Sequence, residues 1–266
     1  MLIRQSPMTD LSEADFLTSP LLSAAGFRHA FFTRHGGVSA AAYRSLNFSV
    51  LVGDSEENVA QNLERAARAL VVPAERVYFL SQVHGAVAQA VSERDDRKAT
   101  LVLEGDAVVS RAGHLACGVR TADCVPILLG DRQSGAVAAI HAGWRGMVRG
   151  VVEEGVRALR ATLGAEGQLL AAIGPHISAD AFEVSDEVGA ELDRAAPEAA
   201  AASKRRGKTH VDLRGIARSK LLRLGLADAD VDDVWGCTVG DAERFFSFRR
   251  DGARSGRHLS AIVPGS

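Results

Sequence analysis

Ten short apolar segments recur along the chain, and this pattern constrains its fold more than any other feature of the sequence. Each segment is four to seven residues long and rich in β-branched, aromatic or small apolar residues, which is typical of buried strands. They lie at residues 30–33, 77–83, 86–91, 107–110, 115–120, 125–129, 136–141, 169–173, 234–238 and 259–263. The second and third segments are close enough in sequence to predict a hairpin.

Four amphipathic segments between these strands predict helices. The first begins at a capping-box-like sequence at residues 54–57 and ends before Pro73. The second has an apolar stripe over residues 148–163, and a third and a fourth begin at Ser185 and Asp212. Because strands outnumber helices and the helices are spread through the chain, the sequence predicts a mixed α/β or an α+β fold.

Composition limits the class of protein. Lys and Arg number 31 and Asp and Glu 33, so the net charge is −2, and 47% of residues are hydrophobic. This composition predicts a globular protein and argues against disorder and against a general nucleic-acid binder. The longest uncharged stretch, residues 77–92, contains Gln82 and His84, so no membrane span is expected. The absence of a secretory signal and three cysteines without a CxxC pair predict a cytoplasmic protein.

No shift in composition marks an internal boundary, so we expect one domain over residues 1–266, with residues 1–20 as a less ordered extension. Residues 195–208 (AAPEAAAASKRRGK) are the one biased segment. They predict a solvated segment, either loop or helix, or alternatively a mobile lid that brings Lys204, Arg205 and Arg206 near an anionic substrate. The protein is expected to be a monomer or a homodimer.

Three metal-binding residue types lie at the ends of apolar segments, each with Gly or Pro nearby. His84 follows residues 77–83, Cys124 lies between two apolar runs, and His141 ends residues 136–141. Two imidazoles and one thiolate satisfy three positions of Zn²⁺ and leave the fourth open for water or substrate, which is a catalytic ligand count. Two alternatives remain: each residue is a buried structural side chain, or Cys124 is a nucleophile with His141 as its base.

Several segments favour anions. Arg34 precedes Gly36 and Gly37, and Asn47 follows in the motif SLN, so this region predicts a phosphate or substrate site. Arg145 lies where the second helix begins, which is a second candidate anion site. An alternative is that the glycines form an ordinary turn beside a surface arginine. Asp123, next to Cys124, is a candidate proton carrier or an orienting partner of a ligand histidine.

A set of motifs resembles one known family. The matching segments are TRHGGVS (33–39), SLN (45–47), SQVHG (81–85), DAVVS (106–110), TADCVPILL (121–129), HAGWRG (141–146), IGPHIS (173–178), FEV (182–184) and a C-terminal CT…FFSFRRDG…GR (237–257). From about residue 28 onwards the chain is similar to the YfiH family, also called laccase-domain or polyphenol oxidoreductase proteins.

The resemblance implies a mixed-sheet α/β sandwich similar to the catalytic domain of cytotoxic necrotizing factors. It implies that His84, Cys124 and His141 are zinc ligands. It also implies phosphorolysis of adenosine, inosine, guanosine and methylthioadenosine with phosphate, together with adenosine deamination. The chain departs from the family pattern at Ala217 and Lys220, where Asn and Gln are common, which puts its substrate preference in doubt.

Two alternatives to this function remain. One is a Cys–His hydrolase or amidase that edits peptidoglycan precursors, as suggested for some relatives. The other is the copper-dependent polyphenol oxidase implied by the older family name. With 8 histidines and no His-x-His pair, the chain is poor in ligands for a multicopper cluster, although Cu²⁺ could occupy the His₂Cys site.

Overall fold

The computed structural model describes residues 10–265, and within them the chain forms fourteen strands and eight α-helices. The strands are β1 (Phe16–Leu17), β2 (Arg28–Phe32), β3 (Val77–Tyr78), β4 (Ala88–Ala90), β5 (Ala107–Ser110), β6 (Ala116–Thr121), β7 (Val125–Asp131), β8 (Val137–Ala142), β9 (Leu169–Ile173), β10 (Glu183–Val184), β11 (Ala202–Arg205), β12 (Lys208–Val211), β13 (Val231–Asp233) and β14 (His258–Val263). The helices are α1 (Pro20–Ala24), α2 (Glu56–Ala69), α3 (Arg97–Thr100), α4 (Trp144–Arg149), α5 (Val151–Leu163), α6 (Asp186–Ala195), α7 (Leu213–Arg223) and α8 (Phe248–Asp251).

Two large mixed sheets form the centre of the molecule. One has the order β1-β2-β14-β6-β3, and the other has the order β13-β9-β7-β8-β5-β4. The pairs β3–β6, β4–β5 and β13–β9 are parallel, and the other strand pairs are antiparallel. A small sheet, β10-β12-β11, lies apart from these two. The prediction of a mixed α/β fold is therefore confirmed.

The two large sheets pack face to face. Val119 and Ile262 of the five-stranded sheet share a buried cluster with Leu128 of the six-stranded sheet. The neighbouring residues of β7, Ile127 and Leu129, belong to a second cluster on the opposite face, which packs against helices α4 to α7. Since successive side chains of a strand point to opposite faces, residues 125–130 of β7 are all apolar.

Helix α2 covers the outer face of the five-stranded sheet, where Leu63 and Ala66 pack with Leu259 and Ala261. The order of layers is thus helix, sheet, sheet, helices. The helix predicted over residues 148–163 is two helices instead, α4 and α5, because Gly150 has a φ of +86° and interrupts the helical hydrogen bonding.

The hairpin predicted from residues 77–83 and 86–91 does not form. Strand β3 pairs with β6 in the five-stranded sheet, whereas β4 pairs with β5 in the six-stranded sheet. The residues between them cross from one sheet to the other. Along this crossing the amide of Ser81 donates to the carbonyl of Leu103, and the amide of Gly105 donates to the carbonyl of Ser81. The predicted strand 234–238 is also wrong, because the strand at that edge is β13, residues 231–233.

Residues 195–208 contain the last residue of α6, a 3-10 turn at residues 197–199, strand β11, a tight turn and the first residue of β12, so they are neither a long loop nor a lid. Strand β11 pairs with β12 through a turn at Arg206 and Gly207, whose φ values of +50° and +80° are typical of a tight hairpin turn. Lys204 forms an ion pair with Asp186, and Arg205 forms one with Asp180. These side chains are therefore paired on the surface of the small sheet.

Part of the predicted N-terminal extension, residues 1–9, lies outside the described residues. The remainder joins the fold, because β1 pairs with β2 and the backbone carbonyl of Asp15 accepts hydrogen bonds from Thr33. In the described part of the chain, no helix has the length and apolar character needed to cross a membrane.

Candidate metal centre and active site

His84, Cys124 and His141 converge where the two large sheets meet. His84 lies on the segment that crosses between the sheets, Cys124 lies in the turn between β6 and β7, and His141 is on β8. One ligand atom from each residue lies within 4.8 Å of the other two, and Cys124 Sγ is 3.7 Å from His84 Nε2. Three side chains that are 40 and 17 residues apart in sequence thus form one cluster.

The backbone around this cluster is unusual. His84 has a φ of +55° and Asp123, next to Cys124, has a φ of +89°. Residues other than glycine rarely adopt such backbone conformations, which cost about 1–3 kcal/mol and persist where the surrounding structure holds them. At His84 the holding group is a carboxylate, that of Asp106.

Asp106 is the site residue that sequence reasoning missed. It is 1% exposed, and its carboxylate accepts hydrogen bonds from the amides of Val83, His84 and Gly85 at 3.3, 3.0 and 2.7 Å. Its Oδ1 atom also lies 2.7 Å from His141 Nδ1. One carboxylate therefore holds the loop of the first histidine and orients the ring of the second, leaving Nε2 of His141 for the cluster. The signal in the sequence was an acidic residue directly before a fully buried apolar strand, residues 107–110.

Cys124 and His141 shift each other's pKa in opposite directions. Burial by itself raises the pKa of Cys124, but the charge of His141 and hydrogen bonds from both histidines outweigh it and lower this pKa to about 6. Burial by itself lowers the pKa of His141, but the Cys124 thiolate and the hydrogen bond to Asp106 raise it to about 9. Both shifts favour the thiolate form of Cys124 and the imidazolium form of His141.

The cluster fits a transition metal. Two imidazole nitrogens and a thiolate are the donors that Zn²⁺ and Cu²⁺ prefer, and the carboxylate behind His141 is typical of histidines that bind zinc. Gly143 leaves the necessary space, because a Cβ atom there would lie 2.8 Å from His84 Cδ2 and 3.0 Å from Cys124 Sγ. Three protein ligands leave further coordination positions for water or substrate.

Gly143→Ala is expected to weaken metal binding without unfolding the protein. The φ of Gly143 is −75°, which alanine adopts freely, so the effect comes only from the collision with His84 and Cys124. Overpacking of this kind costs about 1–3 kcal/mol. Metal analysis and thermal unfolding of the variant measure both effects.

The matched control is Gly113→Ala, because a Cβ atom at Gly113 meets no atom within 4 Å. This control should bind metal as the wild type does. Full metal content in Gly143→Ala would contradict the assigned position of the ligands.

A cavity of about 700 Å³ opens onto the cluster. Four arginines and four apolar or aromatic side chains contribute to its wall: Arg120, Arg145, Arg249, Arg257, Trp144, Ile177, Phe182 and Phe248. The aromatic surface suits a planar base, and the guanidinium groups suit an anion. Only Arg145 of these was identified from the sequence. Arg120 and Trp144 are close in sequence to Cys124 and His141, whereas the other five side chains lie more than 30 residues beyond His141.

Asp123 also lines this cavity, but it contacts neither ligand histidine. Its Oδ1 atom accepts a hydrogen bond of 2.6 Å from Thr238 Oγ1, and its Oδ2 atom accepts one of 2.6 Å from the amide of Arg249. The structure gives the role of orienting a ligand histidine to Asp106 instead. The role of Asp123 as a proton carrier stays a prediction.

Arg34 and Gly37 line a different cleft, of about 730 Å³, that includes none of the three ligands. The Arg34 guanidinium donates to the carbonyls of Arg44 and Ala242 and lies 4.5 Å from the ring centre of Phe246. The Gly37 amide donates to Ser45 Oγ, and the Gly36 carbonyl accepts from Arg65. The predicted phosphate site is therefore divided between two places, with Arg145 beside the metal ligands and Arg34 in a separate cleft.

Asn47 is fully buried and does not face the cavity. Its Oδ1 atom accepts from the amides of Ser49 and Arg257, and its Nδ2 atom donates to Asp54 Oδ2 and to the carbonyl of Ser49. These contacts bind the segment after the SLN motif to the chain at Arg257.

The positions that depart from the family pattern lie in the helical layer. Ala217 is fully buried in the core, and Lys220 Nζ forms a 2.5 Å ion pair with Glu153. Neither lines the cavity.

Cys117 is fully buried, and burial raises its pKa, as expected for a structural thiol. Cys237 is partly buried, and its Sγ atom contacts Ser178 Oγ and the amide of Gly240.

Among residues 10–265, His84, Cys124 and His141 form the one group of three or more clustered residues of metal-binding types. Three other histidines, His29, His176 and His258, are buried and contact backbone atoms. The ligand count in the described part of the chain thus fits a single metal ion rather than a multicopper cluster.

Comparison with known proteins gives consistent matches over most of the chain. The family described as multi-copper polyphenol oxidoreductase laccase matches residues 28–264. The chain is 42% identical to a purine nucleoside phosphorylase of Streptomyces coelicolor, covering 85% of this chain and 91% of that protein. It is 38% identical to a purine nucleoside phosphorylase of Deinococcus radiodurans, covering 91% and 92% of the two chains. The crystal structure of the hypothetical protein YfiH of Bacillus licheniformis superposes with a TM-score of 0.83 at 28% identity, covering 89% and 92% of the two chains.

Proposed function

Since the chain belongs to the multi-copper polyphenol oxidoreductase family, also known as the YfiH family, we propose that it is a zinc-dependent purine nucleoside phosphorylase. Relatives that carry this activity in their names support the reaction class. The observation that carries the proposal is that one cavity contains His84, Cys124 and His141 together with several arginines and aromatic side chains. We further propose adenosine, inosine, guanosine and methylthioadenosine as substrates, and adenosine deamination as a second reaction at the same centre.

His84, Cys124 and His141 would hold the metal, with Asp106 fixing the orientation of His141. A bound zinc ion would supply a Lewis acid and lower the pKa of coordinated water, which is the chemistry that deamination requires. The role of Cys124 is then that of a ligand, and its lowered pKa provides the thiolate that metal binding needs.

Phosphorolysis places two demands on the protein's own residues. An oxygen of phosphate forms a bond to the anomeric carbon of the ribose while the bond from that carbon to the purine nitrogen breaks. Arginines that line the cavity would hold the phosphate by charge-assisted hydrogen bonds, and Phe182 and Phe248 would contact the purine. The purine leaves with the electron pair of the broken bond and needs a proton or a polar partner, for which Asp123 is the candidate.

A product assay with adenosine on protein of measured metal content tests this function. Adenine and ribose 1-phosphate that appear only with phosphate would establish a phosphorylase. Inosine formed without phosphate would establish a deaminase. If neither product forms with metal-loaded protein, both proposed reactions are wrong.

Arg145→Ala is expected to raise the KM for phosphate by roughly 10-fold or more, whereas Arg34→Ala should change it little. Arg145 lies in the cavity of the metal ligands, and a lost charge-assisted hydrogen bond costs about 1.5–3 kcal/mol. Arg34 lies in the separate cleft and is bound to two backbone carbonyls. Steady-state kinetics with varied phosphate compares the two variants. A rise in the KM for phosphate in Arg34→Ala alone would support the phosphate site predicted from the sequence at Gly36 and Gly37.

A second candidate function, a Cys–His hydrolase or amidase, is favoured by one observation, the thiolate–imidazolium pair of Cys124 and His141. A thiolate paired with an imidazolium is the reactive form of a nucleophilic cysteine.

Alkylation by iodoacetamide separates the two functions. In metal-free protein Cys124 is a thiolate above pH about 6, so its alkylation rate should fall to half near that pH rather than near 9. His141→Ala removes the stabilising charge and should move this midpoint upward. Bound zinc should protect Cys124 if it is a ligand, whereas inactivation at an undiminished rate in zinc-loaded protein would support the hydrolase.

A further inference from the structure

The cavity contains more arginines than the two anion sites expected from the sequence, and they differ in what they are bound to. Arg249 Nη1 donates to the carbonyls of Ala181 and Glu183. Arg120 lies 4.5 Å from the ring centre of Phe79 and donates to the carbonyl of Leu80. Each of these guanidinium groups is thus bound to a backbone carbonyl through one nitrogen.

Arg257 is likewise bound through one nitrogen, and its Cζ atom lies 5.8 Å from the ring centre of Phe248. One nitrogen, Nη1, donates to the carbonyls of Ser255 and Gly256 at 2.7 and 3.0 Å. Within residues 10–265, no group accepts a hydrogen bond from its Nε or Nη2 atoms under normal geometric criteria. The guanidinium is therefore anchored at one corner and has donors left for a ligand in the cavity.

The surroundings of Arg257 place it beside the reacting centre. Cys124 and Asp123 line the same cavity as Arg257, and burial lowers the pKa of its guanidinium. A guanidinium that keeps free donors near the metal ligands is a geometry suited to an anionic substrate.

The backbone of Arg257 is fixed by a buried polar network. Its amide donates to Asn47 Oδ1 at 2.8 Å, and its carbonyl accepts from the amide of Phe48 at 3.0 Å. Asn47 is held in turn by Asp54, and its carbonyl accepts from Asn62 Nδ2 at 2.8 Å. Asn47 of the SLN motif thus fixes the backbone of Arg257, a residue of the cavity wall, although Asn47 does not itself line the cavity.

We infer that Arg257 is a phosphate-binding residue of the cavity and that Asn47 is its positioning residue. The inference rests on the proposed phosphorolysis for its role in turnover, but the binding of inorganic phosphate tests it independently.

The decisive variant is Arg257→Lys, which keeps the charge and removes the planar set of donors. It should raise both the KM for phosphate and the Kd of inorganic phosphate, measured by calorimetric titration without nucleoside, by roughly 10- to 100-fold. The KM for nucleoside should stay within about twofold, because the loss is confined to one charge-assisted contact. Arg254→Lys is the matched control, since Arg254 is exposed on the same segment, and it should match the wild type.

Asn47→Ala tests positioning. It should raise the KM for phosphate in the same direction, while a purely structural role would lower the amount of active enzyme and leave both KM values unchanged. Asn58→Ala is its control, because Asn58 also binds Asp54 but does not contact Arg257.

Unchanged phosphate affinity in Arg257→Lys overturns the inference, even if the wild type proves to be a phosphorylase. Weakened phosphate binding in Arg257→Lys upholds it, even if no nucleoside is turned over and the proposed function fails. Absence of phosphate binding by the wild-type protein overturns it as well.

Discussion

The Cys124→Ser protein is expected to bind zinc at least about 100-fold more weakly than the wild type and to lose nearly all activity at limiting zinc. Removing a residue that only orients a ligand already costs 10–100-fold in metal affinity, and Cys124 is itself one of three ligands. Serine is a poor zinc ligand, so excess zinc should restore part of the activity. Zinc titration at pH 7.5, with adenosine turnover as the readout, measures both effects.

Cys237→Ser is the control for this experiment, because Cys237 is the other partly exposed thiol and contacts Ser178 rather than the metal ligands. It should keep its zinc and its activity. Activity of Cys124→Ser that stays flat while zinc occupancy rises would contradict the metal mechanism, because a nucleophile replaced by a weaker one is not rescued by metal.

Asp106→Ala is expected to have a large effect on both metal binding and stability. The carboxylate is fully buried, pairs with His141 and accepts three backbone amides, so its removal leaves several buried donors without a partner. Breaking a buried charge pair costs about 3–5 kcal/mol, and losing the partner of a ligand histidine costs about 10–100-fold in metal affinity. Chemical denaturation and zinc titration of the variant give the two quantities.

Asp131→Ala separates these two effects. Asp131 is also 1% exposed and its carboxylate accepts from the amides of Ser134 and Gln168, but it does not contact a ligand. Both variants should be destabilised, and only Asp106→Ala should lose zinc affinity. Equal zinc affinity in the two variants would mean that Asp106 acts on stability alone.

The sequence alone predicted the mixed α/β character of the fold and three candidate metal ligands. Apolar runs such as residues 125–129 are apolar on both faces because each face is covered, and this is a local property of the chain. Likewise, two imidazoles and a thiolate at strand ends indicate a metal site by residue type alone, and the side chains of His84, Cys124 and His141 do lie together. Hydrophobic periodicity and residue chemistry are read from neighbours in sequence, and so they can be predicted without the fold.

The tertiary structure alone decided which strands pair and which polar groups share a cavity. Residues 77–83 and 86–91 are neighbours in sequence but join different sheets, because each finds a parallel partner further along the chain. Arg34 and Arg145 looked equivalent as anion sites, and only the fold separates them into two clefts. Asp106 and Arg257 gain their importance from contacts with residues 35 and 210 positions away, with His141 and Asn47 respectively. Such contacts depend on long-range packing, which no local pattern in the sequence encodes.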